Sequence, residues 1–322
     1  MIKKSILAWI MFSLISFQSF AFEKVGVTSF QFLKISMDPT SAAMGGAFAA
    51  VSRGTESMYN NPAALVKQRG FGTFLSQLDY VFDANHSTGA ASWGFGDWAI
   101  GVYGISVDYG SIQVTDIDHL FYADNGSFNP GLTGEKLSLG ATDIGIGFSQ
   151  ELTNKFSYGI ISKYIREDFS IMSSSLVAWD IGVLYDSGFR SIVLGATLRN
   201  FGPQVKYITQ SYPLPQTMNL GVSAELLGAG TPLFKESDSH TLLISADLLQ
   251  PRDYGQQYNI GAEYAFRDLL FVRSGYRLNY DTEGLNIGLG FKLKSVALNY
   301  SYSDYGEQLP GVHRVSIGFI NI

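Results

Sequence analysis

The chain has 322 residues, with 22 Lys and Arg against 28 Asp and Glu, only 16% charged residues, 14% aromatics, 35 glycines and no Cys. Mild acidity gives no reason to expect nucleic-acid binding, which needs a basic surface, and the lack of Cys excludes disulfides and Cys-ligated metal. So little charge (the usual share is ~25%) beside so much Tyr, Phe and Gly is unusual for a soluble secreted protein. It suits a transmembrane β-barrel, which needs an apolar outer band, aromatic girdles and a polar lumen.

Residues 1–21, MIKKSILAWIMFSLISFQSFA, read as a signal peptide. Lys3 and Lys4 form the basic start, Ile6 to Ile15 the apolar core, and Ser19 and Ala21 the small residues before a cleavage site. The core is shorter than the ~20 residues of a membrane-spanning helix, and no other stretch is long and apolar enough to span as one. The mature chain from Phe22 keeps 20 basic and 28 acidic residues, a formal charge of −8.

Residues 22–69 show no strand alternation. Helical blocks are expected over Pro39 to Val51 and Glu56 to Lys67. Gly45 and Gly46 permit close backbone approach or unusual φ. Pro62 forces Asn61 out of helical geometry and starts a new turn.

From Gly70 onward the pattern has period 2. Met218, Leu220, Val222, Ala224 and Leu226 alternate with Asn219, Gly221, Ser223 and Glu225. Leu285, Ile287, Leu289 and Phe291 oppose Asn286, Gly288, Gly290 and Lys292. One face is continuously apolar; the other is Gly, Ser, Asn and single charges, small enough for a crowded lumen. Short turns (at Gly96-Asp97, Glu151 to Asn154, Asp186 to Arg190, Arg267-Asp268 and Lys292 to Ser295) alternate with longer polar connections. Those run near His119 to Glu135, Asp168 to Ser174, Phe201 to Pro215, Gln250 to Gln256 and Asp304 to Pro310. That alternation matches periplasmic turns and outer loops, with Gly228 to Ser239 a long connection on the turn side.

Strands are therefore expected to start near Gly70, Asn85, Asp97, Lys136, Asn154, Ser174, Arg190, Gln216, His240, Gln256, Asp268, Gly284, Ser295 and Gly311. The fold class is all-β, an antiparallel transmembrane barrel of about 14 strands over residues 70–322. The third strand continues past an Asp108, Tyr109, Gly110 break, where Gly110 signals a bulge or kink. The last strand, HRVSIGFINI, must close against the first, because an unpaired edge cannot sit in lipid. Such a terminal strand is also what barrel assembly machinery reads. A barrel of about 8 strands is filled by its own side chains, and ~16–18 strands leave an aqueous channel. At 14 the lumen needs a filler, and residues 22–69 have the size of a plug.

The inward face carries Asp143, Lys163, Asp180, Arg199, Glu225, Asp247, Glu263, Arg273, Arg277 and Arg314. Either these charges pair with each other and with the plug, as burial demands, or they form a polar track in which Arg273, Arg277 and Arg314 converge on a carboxylate. No nucleophile elbow, P-loop or zinc-binding His-Glu-x-x-His occurs. His86, His119, His240 and His313 lie far apart. An enzyme, a cofactor and a metal are not expected.

The stretch FQFLKISMDPTSAAMGGAFAAVSRGTESMYNNPAAL resembles the N-terminal signature of the PorV/PorQ family of outer-membrane proteins, relatives of the FadL fatty-acid transporters. The matching positions are Phe32 to Ile35, Met44 to Ala47, Tyr59, Asn61, Pro62 and Ala63; Ala64 stands where many relatives have Gly. NKFSYGIISKYIRE, AWDIGVLYDSGFRSIVLGATLRNFGP, YNIGAEYAFRDLLFVRSGYRLNYDTEGLNIGLGF, NYSYSDYGE and VHRVSIGF extend the likeness over nearly the whole mature chain. The resemblance implies a FadL-like barrel in the bacterial outer membrane, a plug or hatch at the N-terminus, and a kinked third strand providing a lateral opening. It further implies one of two roles. One is type IX secretion-like cargo handling, with secretion components and cargo proteins as partners. The other is passage of a hydrophobic ligand such as a long-chain fatty acid.

Overall fold

The computed structural model describes residues 26–320 apart from 52, 125, 171, 208 and 308. The expected signal peptide and residues 22–25 lie outside the described residues. Fourteen strands form the wall: β1 (Gly70–Asp79), β2 (Asn85–Gly94), β3 (Trp98–Tyr122), β4 (Phe128–Thr153), β5 (Phe156–Asp168), β6 (Ser173–Asp186) and β7 (Val193–Phe201). They continue as β8 (Thr217–Gly228), β9 (His240–Pro251), β10 (Gln257–Phe266), β11 (Leu270–Leu278), β12 (Leu285–Leu293), β13 (Val296–Ser303) and β14 (Val312–Ile320). Each pairs antiparallel with the next, and β14 returns to β1 from Gly72↔Ile320 to Asp79↔His313, closing the barrel. Closure leaves no strand edge to lipid, which is what permits strands to span a membrane.

Alternation becomes sidedness. On β12, Leu285, Ile287, Leu289 and Phe291 stand on the exposed outer surface while Asn286 is buried inside. The expected starts hold to within three residues except the fourth. There, the connection expected near His119 to Glu135 is not a loop. β3 and β4 run 25 and 26 residues and leave the barrel as a two-stranded ribbon, pairing again from Ser111↔Ser138 to Tyr122↔Phe128. Its polar, Gly- and Pro-containing sequence resembles a loop, but a partner strand at hand satisfies its backbone groups. The long turn-side connection contains a two-residue strand, Lys235–Glu236, beside the end of β8. A small hairpin, Val205–Tyr207 with Gln210–Tyr212, caps the loop side.

Residues 26–69 lie within the barrel. They enter at the loop end, where Ser29 N donates to Pro213 O at 3.0 Å. They leave at the turn end, where Lys67 meets Glu151 at 3.1 Å. The two expected helical blocks are shorter than the sequence suggests. The first is one turn of α-helix, α1 (Pro39–Ala43); the second is two 3-10 turns, Thr55–Tyr59 and Pro62–Lys67. Left-handed backbone at Gly45 and Gly46 ends the first run early, and non-helical backbone at Asn60 and Asn61 divides the second.

Candidate functional site

The plug is built to press its backbone on the wall. Asp38 caps α1, accepting from Thr40 N (2.9 Å) and Ser41 N (3.0 Å), with Pro39 at the first position where a missing N–H costs nothing. Gly45 and Gly46, at φ +67° and +82°, then turn the chain against β10 and β11. A Cβ on Gly275 would fall inside the backbone of Met44 and Gly45, and one on Gly159 inside that of Pro62 and Ala63. The lumen-facing glycines are thus sockets for the plug as well as relief from crowding.

Asn61 ties the plug together and to β6. Its Nδ2 donates to Ala49 O (2.6 Å) and Val183 O (3.1 Å), and its Oδ1 accepts from Ala63 N (3.0 Å). The Ala63 carbonyl accepts from Ser149 (3.1 Å) and Ser157 (3.0 Å). Tyr59 accepts from Thr88 Oγ1 at 2.6 Å and sets its ring edge-on to Tyr103, centroids 5.2 Å apart.

The inward charges divide by partner. Asp247 accepts from Phe48 N (3.0 Å) and Ala49 N (2.9 Å), Arg277 Nε donates to Gly45 O (3.0 Å), and Arg314 Nε donates to Ser36 O (2.9 Å). Glu225 faces Arg53 of the plug at 3.8 Å. Lys163 pairs with Asp180 at 2.8 Å, Arg273 with Glu263 at 2.6 Å, and Tyr103 donates to Asp143 at 3.1 Å. Arg199 has no hydrogen bond or ion pair of this kind among the described residues. The three late arginines do not converge on one carboxylate. Arg273 is held by Glu263 and Asn299, Arg277 by Glu283, and Arg314 by Ser303. Each guanidinium, buried, takes the acceptor nearest to it.

Sequence reasoning missed Asp38, whose Asp-Pro pair is an N-terminal helix signal, and Asp253. The latter holds the plug's entry through Lys34 Nζ and Thr28 Oγ1, each 2.6 Å away. Burial would raise the Asp253 carboxyl, but those hydrogen bonds, the Lys34 charge and a backbone hydrogen bond together keep it below its usual range. Inside the plug, burial first and the neighbouring Asp38 carboxylate second push Glu56 up to about 8.

The lumen has two unlike sides. Hydrogen bonds hold the plug on β8–β14. Toward β3–β6 the loop half of the plug meets the wall by packing alone: Phe32, Leu33 and Met37 lie in one buried cluster with Ile105, Ile161 and Ile165. No hydrogen bond or ion pair joins residues 30–37 to β3–β6 among the described residues. A cavity of about 20 Å³ remains in this seam, room for about one water. At the loop end, a polar cavity of about 330 Å³ lies between the plug and β7–β11, lined by Arg199, Asn219, Asn259 and Arg277 among others.

The Asp108, Tyr109, Gly110 break is a bulge. Tyr109 and Gly110 oppose Leu139 alone, with Gly110 at φ +81°. It lies at the rim, because Asp108 pairs with Asn85, the first residue of β2. Below it the ladders to β2 and β4 are unbroken. The break therefore starts the ribbon and does not open the wall, contrary to the lateral opening expected on the third strand.

No family model matches the sequence, and no curated protein does. Three solved structures share its architecture. The Ralstonia pickettii toluene transporter TbuX has 15% identity and a TM-score of 0.60, over 88% of this chain and 98% of that one. The CymD monoaromatic hydrocarbon channel has 15% and 0.56, over 94% and 99%. The P. putida toluene transporter TodX has 13% and 0.55, over 88% and 98%. At such identities the likeness is one of fold. The chain is a closed 14-stranded antiparallel β-barrel with residues 26–69 inside it, and it shares the fold of these three proteins.

Proposed function

We propose that this protein is a non-enzymatic conduit passing small apolar molecules, monoaromatic hydrocarbons or long-chain fatty acids, across the outer membrane. The observation that carries the reading is the apolar seam between plug residues 30–37 and β3–β6. A hydrocarbon crossing the barrel needs a continuous apolar path, since each polar group it desolvates costs free energy. The seam offers apolar surface where Phe32, Leu33 and Met37 meet Ile105, Ile161 and Ile165, beside a small cavity that Asp143, Lys163, Asp180 and Arg199 also line. Residues 30–37 can part from β3–β6 without breaking a hydrogen bond to those strands, whereas Asn61 and Ala63 below them bond β4–β6 and the opposite side is fixed by Asp247, Arg277 and Arg314. The shared fold with toluene transporters and a monoaromatic hydrocarbon channel supports the same reading. In the test, entry of labelled toluene or fatty acid into proteoliposomes is compared for the full chain and for a chain lacking residues 41–67. Faster entry on deletion is expected; equal permeability overturns the plug.

A second reading, PorV/PorQ-type handling of secreted cargo, has one observation in its favour. The β3–β4 ribbon projects beyond the barrel with Ile117 81% and Tyr122 76% exposed. Co-purification of secretion components from outer membranes, lost when the ribbon is trimmed, would replace the conduit reading. Both readings include insertion by barrel assembly machinery acting on β14.

A further inference from the structure

Side-chain amides gather at the polar cavity of the loop end. Asn60 of the plug lines it together with Asn200 of β7, Asn219 of β8, and Gln257 and Asn259 of β10. The register brings the wall residues into one patch. Arg199 and Thr217 are partners across β7 and β8, Asn219 follows two residues along, and Asn259 stands opposite Asp247. Asn219 and Asn259 are buried, yet the side-chain oxygen of each has no hydrogen-bond partner among the described residues. A buried acceptor left unpaired is costly, and native proteins keep few of them without a reason. The Arg199 guanidinium, which also lines the cavity, is likewise uncommitted among the described residues.

The lining fits a neutral ligand better than an ion. Lys34 is taken by Asp253 and Arg277 by Glu283, while Asp281 is exposed and accepts from the Tyr254 hydroxyl. Arg199 borders the seam cavity as well, where Asp143 and Asp180 stand against Lys163 and Arg199, two charges of each sign. No buried charge is left over to hold a carboxylate or an ammonium group, which would need one. An amide both donates and accepts, and so does a hydroxyl. Five amides around one cavity therefore suit a ligand that carries several hydroxyls. Phe48, Leu249 and Tyr280 add apolar surface for its C–H groups. At about 330 Å³ the cavity lies at the small end of ligand pockets, ~300–1,000 Å³, which suits a single sugar ring.

We propose that this cavity binds a neutral monosaccharide, whose hydroxyls donate to the Asn219 and Asn259 oxygens, accept from Arg199, and meet Asn60 of the plug. The sugar then bridges plug and wall and favours the docked plug, whatever solute the barrel passes. In the test, the full chain in lipid nanodiscs, which carry no sugar-headed detergent, is titrated with D-glucose, D-galactose and D-mannose by calorimetry. Saturable heat with at least one hexose is expected, and none with sodium hexanoate, an anion without hydroxyls. Sugars also stabilise folded proteins by exclusion from their surface, but exclusion gives no saturable heat. Asn259→Leu is expected to weaken binding at least tenfold, with Asn219→Leu as the second variant and heat-modifiable migration reporting an intact barrel for each. No saturable heat with any of the three hexoses, binding of hexanoate instead, or undiminished sugar binding by the intact variants overturns the proposal. A ligand that binds only the docked plug slows its opening by 1 + [L]/Kd. Hydrogen exchange of residues 44–51 is therefore expected to slow about tenfold at ten times Kd; unchanged exchange there overturns the bridge between plug and wall.

Discussion

Replacing Asp247 by Ala tests whether the plug is held on the wall by side-chain acceptors. The Ala49 amide has Asp247 as its acceptor at 2.9 Å, while the Phe48 amide divides its hydrogen between Asp247 at 3.0 Å and Gly46 O at 2.9 Å. Asp247→Ala thus orphans one donor and weakens another. A buried donor left unpaired costs ~1–3 kcal/mol. Phe48 and Ala49 border the polar cavity, so water can reach the freed amides and hold the loss near ~2 kcal/mol. That is about a 30-fold rise in local opening. Hydrogen exchange across residues 44–51 in detergent reads it directly, with heat-modifiable migration on gels reporting an intact barrel. Asp247→Asn, which keeps one acceptor, should fall between. Unchanged protection in an intact barrel would refute the anchoring; loss of the barrel would show that Asp247 supports the wall instead.

A pH dependence follows from Glu56. Its carboxyl is raised from 4.5 to about 8 within the docked plug. Stabilisation of the docked state is therefore complete below about pH 4.5 and is lost as the pH rises through about 8. A spin label on Arg53→Cys should become more mobile between pH 5 and 9, and Glu56→Gln should flatten that profile; a flat profile in the parent refutes it. Gly275→Ala places a Cβ in the backbone of Met44 and Gly45, a strain of ~1–3 kcal/mol or more. It should displace the plug and raise single-channel conductance in planar bilayers. Wild-type conductance with wild-type exchange protection would show that the socket yields.

Much of the fold was legible because a lipid-spanning strand obeys two strict rules: outward residues are apolar, and every backbone group is paired within the wall. Period 2 therefore survives along β8, β10 and β12 with little noise, and strand starts follow from it. The ribbon was not legible, because outside the membrane a strand needs no apolar face. Its Asn129-Pro130-Gly131 run reads as a loop, yet Asn129 and Pro130 pair with Phe121 and Leu120. The plug was partly legible. Gly45, Gly46, Asn61 and Pro62 marked its turns, but helix lengths depended on which wall glycines received it.

The amino-acid sequence by itself determined the membrane-barrel class, the count of 14 strands, the face on which each residue sits, and the presence of a non-strand filler before Gly70. Those properties come from local periodicity and composition. Only the tertiary structure decided which inward charges meet, because partners such as Arg314 and Ser36 lie 278 positions apart. Only the tertiary structure, likewise, showed that the Asp108 to Gly110 break lies at the rim and begins a paired ribbon. Where a strand's pairing continues depends on the length of its partners on both sides, and no single strand records that.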